Sequence, residues 1–354
     1  MKNKVLAIHL PQFHRIREND QWWEEGFTEW TNTKKATPLF KGHRQPRCPE
    51  NNNYYDLSEK GVLEQHCSEA KSIGIDGFCF YHYWFDGKRV LEKPLEYLLN
   101  NKSIDVEFIL SWANEPWTRS WDGKTKNILL DQVYGLEEDW IKHYKCLRRF
   151  FLDDRYIKIH NKPVFVIYRT NSIKNCDKMI KKWNEMCLAD GFDGIYIVET
   201  LNGFQKTPVL KESEAVFEFE PMYTLRHSIG FFQKLKRLYN KITGALDKVS
   251  YSYVSKKIVE RNLNYGKKNQ FLGSFVGWDN TARKGKNALI MNDNTPELFY
   301  YQLKTQIKKF PQDSNHIMFI NSWNEWAEGA YLEKDVEYGD SFQNVVRKIL
   351  VEKC

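Results

Sequence analysis

The sequence predicts an α/β protein: a single (β/α)8 TIM barrel with long βα loops and a basic helical insertion between strands six and seven. Three observations lead there. Eight short apolar runs recur along the 354 residues. They are continuous rather than alternating, as in strands buried on both faces of a parallel sheet. Amphipathic stretches at helical spacing lie between several of them, and such alternation builds a barrel or a doubly wound sheet. A barrel core takes about 250 residues, which leaves roughly 100 for loops.

In chain order the runs are Val5–Leu10, Gly77–Trp84, Val106–Leu110, Val164–Tyr168, Gly194–Val198, Ala215–Phe219, Phe271–Gly277 and Ile317–Ile320. Between them, Leu57–Ile73 has apolar residues three and four apart, with Asp56 as N-cap and Gly74 as C-cap. Leu136–Phe151, Lys174–Ala189 and Pro296–Phe310 have the same spacing. Thr295 followed by Pro296 is a cap and first-turn signal. A doubly wound sheet is the alternative, but HLPQFH after the first strand holds no glycine, so no phosphate-cradling turn is encoded there. With no internal repeat and no Pro/Gly/Ser-rich linker, residues 1–354 read as one domain with an insertion at 225–268.

Composition narrows the class. Hydrophobic residues are 42% and charged residues 28%, which excludes disordered and fibrous chains. No stretch approaches the roughly 20 apolar residues of a membrane span. The net charge of +7 is too small by itself to imply nucleic acid. Seven scattered cysteines without a Cys-x-x-Cys spacing argue against a disulfide framework or a zinc site. The apolar run at Val5–Leu10 contains His9, precedes Pro11, and is too short for a secretory signal, so the expected location is cytoplasmic. Aromatic residues are abundant, at 12 Trp, 19 Tyr and 22 Phe. Such residues fill cores, and they also form the flat walls on which sugar rings stack.

In a barrel the active site lies at the C-terminal ends of the strands. Strand one is followed by His9 and Gln12, and strand two ends with Tyr81, His82 and Trp84. Strand three is followed by Trp112, Asn114, Glu115, Trp117, Arg119 and Trp121, strand four by Tyr168, and strand five by Glu199. Glu218 ends strand six, and Trp278 and Asp279 follow strand seven. Strand eight is followed by Asn321, Trp323, Asn324, Glu325, Trp326 and Glu328. These carboxylates, amides and indoles are expected to ring one pocket. His14, Tyr83, Arg169, Glu220 and Asn280 share the same ends.

The chemistry such a ring fits is glycosyl transfer, which needs a proton donor at the leaving oxygen and a second carboxylate as nucleophile or base. Glu325 and Glu328 lie three apart between indoles, a spacing that places both on one side of a turn. Alone, such a pair is common on solvated helices; its position after a buried strand is what singles it out. No spacing of His, Asp or Glu calls for a metal, and no cofactor is expected.

Several long segments resemble a known family. They are LPQFH (10–14), GFTEWTNTKKATPLFKGHRQP (26–46), GIDGFCFYHYWFDGKR (74–89), SWANEPWTRSWDG (111–123), KPVFVIYR (162–169), GWDNTARK (277–284) and NSWNEWAEGAYLEKD (321–335). Together they resemble the WbsX-type family of bacterial polysaccharide-biosynthesis proteins, which is glycoside hydrolase family 99-like. The resemblance implies a (β/α)8 barrel acting on glycans in surface-polysaccharide (O-antigen or capsule) biosynthesis. The distantly similar family 99 hydrolases are retaining endo-acting α-mannosidases with a catalytic Asn-Glu-Trp-x-Glu segment, matched here by 324–328. By that match Glu325 takes the proton of the sugar 2-hydroxyl, giving an epoxide-like intermediate, and Glu328 is general acid and then base. Transfer to an acceptor and hydrolysis both stay open, and a non-catalytic glycan-binding barrel is the alternative. The expected partner is an oligosaccharide or glycolipid, not nucleic acid.

The charge is unevenly placed. Phe231–Lys268 holds ten basic residues and two acidic ones, a net of +8, so the remainder carries about −1. Within it Phe231, Phe232, Leu235, Leu238, Tyr239 and Ile242 recur at helical spacing. The first expectation is a solvated insertion with this stripe packed on the barrel. The other is a basic amphipathic helix lying on an anionic membrane, at the inner membrane face.

Overall fold

The computed structural model describes residues 2–119, 124–261, 266, 268–311 and 315–352. Eight strands form a closed parallel ring: β1 (Lys4–His9), β2 (Gly77–Phe85), β3 (Glu107–Trp112), β4 (Lys162–Ile167), β5 (Tyr196–Leu201), β6 (Ala215–Glu218), β7 (Asn269–Phe275) and β8 (Ile317–Asn321). Each pairs with its neighbour in sequence, and β1 closes the ring by pairing with both β2 (Leu6 opposite Gly77) and β8 (Ala7 opposite Ile320). This is the (β/α)8 barrel, and each of the eight apolar runs supplies one strand. The doubly wound alternative is excluded because an open sheet leaves two edges and this ring has none.

The strands are buried almost throughout, as continuous apolar runs require. Aromatic rings supply much of the packing: Phe217 of β6 meets Phe319 of β8 at 4.3 Å, and Phe78 and Phe80 of β2 meet His9 of β1 at 5.0 and 4.8 Å. Outside the ring, α5 (Glu137–Phe151) packs on α6 (Cys176–Ala189), where the buried Trp183 donates to the Trp140 carbonyl at 2.8 Å. The helix α11 (Pro296–Ile307) begins as its sequence predicts, with the Thr295 hydroxyl accepting from the Leu298 amide. The helix α3 (Val62–Ser72) starts five residues later than the spacing predicts. Asp56 instead accepts from the amide and hydroxyl of Ser58 in a tight turn, and Gly61, at φ +93°, takes the cap position. A left-handed backbone there suits glycine and sets the helix start.

The insertion holds α7 (Met222–His227), α8 (Phe231–Thr243) and α9 (Tyr251–Glu260). The helix α9 buries Val254 and Ile258 in a cluster shared with Leu225, Ile229, Phe275 and Trp278. The helix α8 departs from the first expectation: its apolar stripe faces away from the barrel, and its buried residue is the polar Asn240. Its partners on the body are polar, so polar contacts decide which face turns inward. Among the described residues no helix is long and apolar enough to cross a membrane.

Two glycines mark where strand backbones approach too closely for a side chain. A Cβ on Gly77 would lie 2.0 Å from the Glu107 carbonyl oxygen, and one on Gly273 2.2 Å from that of Glu218. Gly77→Ala therefore forces β2 and β3 apart. A loss of about 1–3 kcal/mol, the usual cost of overpacking, is expected in a urea unfolding titration.

Candidate active site

A cleft of about 560 Å³ opens at the C-terminal ends of the strands. The segment after β8 is its centre. The Asn321–Ser322 peptide is cis, and Trp323 returns to the barrel with its amide 2.8 Å from the Ile8 carbonyl. Asn324 then grips the end of β1: its Oδ1 accepts from the Leu10 amide at 2.7 Å, and its Nδ2 donates to the Leu10 carbonyl at 3.0 Å. The Ser322 hydroxyl accepts from the Glu325 amide at 2.8 Å. A short 3-10 turn, Trp326–Glu328, follows and ends at Gly329 with φ +61°. There a Cβ would press on Asp279 at about 3.0 Å, so the loop sits directly against the strand-seven end. Trp326 stacks on Tyr331 with ring centroids 3.8 Å apart, fixing the turn. Glu325 and Glu328 both line the cleft.

Between them lies Arg283 on the short helix α10 (Thr281–Lys284). Its Nη1 is 2.6 Å from Glu328, and its Nη2 is 2.6 Å from Glu29 and 3.2 Å from Glu325. Glu29 opens helix α2 (Glu29–Lys35) and is fully buried. One guanidinium thus faces three carboxyls. Burial drives Glu325 up to about 8, against the downward pull of Arg283, with the charges of Glu328 and Glu29 adding to the rise. Burial likewise raises Glu29, opposed by Arg283. One positive charge shared among neighbouring carboxyls does not offset the burial of Glu29 and Glu325, so both are held above their ordinary values.

Asp279 supports Arg283 from behind. It is buried outside the cleft and receives His43 Nε2 and Gln45 Nε2, each at 2.8 Å, and the Thr281 hydroxyl at 2.6 Å. Burial alone would raise it, but these bonds and the charge of Arg47 hold it below its ordinary value. Its contacts to the Thr281 amide and hydroxyl launch α10 and so aim Arg283.

Of the residues singled out in the sequence, Gln12, Tyr81, Glu115, Trp117, Tyr168 and Trp278 also line the cleft. Gln12 donates to the Tyr83 hydroxyl at 2.8 Å, and Glu115 accepts from Arg169 at 3.1 Å. Burial raises Glu115, against the opposing charge of Arg169. Other residues serve the frame. His9 Nε2 meets His66 Nδ1 at 3.1 Å, and His82 Nε2 meets His143 Nε2 at 2.9 Å. Burial lowers all of His9, His82 and His143, with His82 at about 3, so these rings are neutral. Trp84 stacks flat on His143, and Trp112 packs edge-on to the same ring. Trp323 is fully buried.

Asn114 grips the next loop as Asn324 grips its own, bonding both the amide (2.7 Å) and the carbonyl (2.9 Å) of Arg169. Glu199 is buried and accepts five hydrogen bonds, from Thr170, Gln205, Ser213 and the amides of Val209 and Leu210. Glu218 and Glu220, alternate residues of which one was expected to face the pocket, both bind Arg261, and neither lines the cleft. Burial raises Glu220 to about 7, against the pull of Arg261. Asn321 donates to the Glu220 carbonyl. The side chain of Arg119 and all of Trp121 lie outside the described residues. Among the described residues no group of three His, Cys, Asp or Glu is placed to hold a metal.

The cleft also takes residues not chosen from the sequence. Trp22 and Trp23 reach it from the segment after β1, and Phe204, Phe219, Met222, Arg283 and Lys284 also line it. Trp22 meets Trp117 edge-on at 5.7 Å. Apart from Phe219, which directly follows β6, these residues lie several positions beyond a strand end, where strand counting does not reach. Glu29 and Arg283 nonetheless fall within the quoted segments GFTEW and GWDNTARK.

A family model described as Glycosyltransferase WbsX matches residues 5–346. The chain belongs to the WbsX glycosyltransferase family. An uncharacterized WbsX relative, the protein WxcX of Xanthomonas campestris pv. campestris, is 32% identical over 353 residues, 98% of this chain and 49% of WxcX. The chain thus spans about half the length of the curated relatives it matches. Solved structures share the WbsX fold at 12% identity. A glycoside hydrolase-like protein superposes with a TM-score of 0.59 over 98% of this chain and 93% of its own. The GH99 endo-alpha-mannosidase of Bacteroides thetaiotaomicron superposes with 0.54 over 99% and 96%. WbsX membership and this barrel together support a glycan-acting enzyme; the WbsX name covers transfer, and the fold neighbours are named as hydrolases.

Replacing Arg283 by Met leaves the buried Glu29 and Glu325 and the half-buried Glu328 without their cation. Arg283 pulls Glu29 and Glu325 down against the effect of burial, so without it their folded-state pKa values rise further. Stability held by such groups is present at low pH and lost as pH rises through the raised value. The deficit of the variant, roughly 3 kcal/mol near neutrality, is expected to shrink toward pH 5 and grow toward pH 8 in denaturant titrations.

Proposed function

We propose that this chain transfers a glycosyl unit with retention, acting on α-mannoside-like glycans in the making of bacterial surface polysaccharide. The observation that carries this is the pair Glu325 and Glu328, both on the cleft wall and both held by one guanidinium. Glu325 is the base: it removes the proton from the sugar 2-hydroxyl as O2 closes on C1. Glu328 gives its proton to the departing oxygen. The acceptor hydroxyl then enters, Glu328 takes its proton, its oxygen attacks C1, the C1–O2 bond opens, and Glu325 returns the proton to O2. Two inversions at C1 give retention.

Several features support the assignment. A sugar hydroxyl is a weak acid, and a base of raised proton affinity is matched to it; burial lifts Glu325 in that direction. Glu328 is more exposed than Glu325, which suits a group that meets both leaving oxygen and acceptor. The half-buried Trp22 and Trp117 on the cleft wall offer apolar surface to sugar C–H groups. The Glycosyltransferase WbsX description favours transfer. The likeness to a GH99 fold keeps hydrolysis as the second outcome of the test.

Glu328→Gln and Glu325→Gln are each expected to lower kcat by about two to four orders of magnitude, the usual share of acid–base catalysis. The assay pairs lipid-linked acceptor and nucleotide sugar in one arm with α-mannoside oligosaccharides in water in the other. Product in the second arm alone makes the enzyme a hydrolase. Unchanged turnover in either variant ends the assignment of that residue. The base must be ionised to work, so kcat/KM is expected to climb with pH up to about 8. A profile that instead falls through that region makes Glu325 the acid.

A further inference from the structure

The helix α8 is amphipathic in the unusual sense. Successive helical residues turn by about 100°. On that projection Phe231, Leu235, Leu238 and Ile242 fall within roughly 60°, with Tyr239 and Phe232 beside them. This stripe points outward: Phe232 is 85% exposed, Ile242 76% and Phe231 69%. The opposite, polar side meets the body. There Asn240 donates to the Leu246 carbonyl at 3.0 Å, and Arg237 binds Asp247 and the Leu225 carbonyl. A helix whose only task is to cover the barrel would be turned the other way.

Charge says what the stripe meets. From Met222 to Leu246 there is no acidic residue. Lys234 and Lys241 border the stripe on one side and Lys236 on the other, all exposed. Asp247, which lies beside the helix, is already occupied by Arg237. An apolar band edged by lysines matches an anionic bilayer, with acyl chains below and lipid phosphates level with the ammonium groups. The helix also stands on the active face. It follows α7, whose Met222 lines the cleft. The Asp247 that anchors it lies in a strand paired with Leu289–Met291, which in turn pairs with cleft-lining Trp278.

We propose that α8 docks the chain on an anionic lipid surface, with its apolar stripe among the head groups and Lys234, Lys236 and Lys241 at the phosphates. The proposal is independent of the chemistry in the cleft, because docking needs no turnover. It brings the bilayer to the end of the barrel on which the cleft opens.

The test is co-sedimentation of the chain with phosphatidylcholine vesicles, with or without about one-third phosphatidylglycerol. Binding to the anionic vesicles alone, weakening as salt rises, is expected. The double variants Phe232→Glu/Ile242→Glu and Lys234→Glu/Lys241→Glu are each expected to bind at least about ten-fold more weakly. Their melting temperatures should match the parent, since these side chains touch little of the body. No vesicle binding by the parent overturns the proposal, as does equal binding by parent and both variants. A concentration-dependent dimer abolished by Phe232→Glu/Ile242→Glu, without vesicle binding, overturns it too and gives the stripe to a second copy of the chain.

Discussion

The arrangement of the cleft depends on one guanidinium. Arg283 draws together helix α2, helix α10 and the turn after β8, three pieces far apart in sequence. Helix α10 brings the cation, helix α2 brings Glu29, and the turn brings Glu325 and Glu328, three carboxyls that would repel one another. In a poorly solvated place that repulsion is large, and a single cation with several directed N–H bonds is an economical way to contain it. Burial and the incomplete balance of charge raise Glu325 and Glu29, and a cleft carboxyl of raised proton affinity is suited to acid–base chemistry. Asp279 and its ring of donors have no direct part in this, yet they fix the helix from which Arg283 reaches.

The aromatic excess divides into two uses. Inside the barrel, rings pack against one another and against neutral histidine pairs, filling a space bounded on all sides by backbone. In the cleft, rings arrive from strand ends, as Tyr81 and Tyr83 do, and from loops, as Trp22 and Trp23 do, and line an open volume. Trp and Tyr serve in both places, so composition alone does not separate them.

The barrel was legible because its signal is local: a continuous apolar run is a strand buried on both faces, and eight in a row close a ring. The place of Glu325 and Glu328 on the cleft was legible for a related reason, since residues next to a strand end are placed by the strand. What escaped needs the third dimension. Glu29 and Trp22 sit in a loop whose path no periodicity describes, and Arg283 is set by Asp279 rather than by β7 itself. Conversely, Glu199, His9 and His82 occupy strand positions that look like a rim but turn into the packed interior, where polar partners rather than solvent satisfy them. Helix α8 defied the rule that apolar stripes face inward because its polar face has specific partners on the body.

The paired grips of Asn114 on Arg169 and of Asn324 on Leu10 bind neighbouring loops to each other through backbone atoms, whatever side chains those loops carry. A rim loop therefore keeps its shape only while its clasped neighbour keeps its own. The unit to exchange in reshaping the mouth of this barrel is two adjacent loops and the asparagine between them.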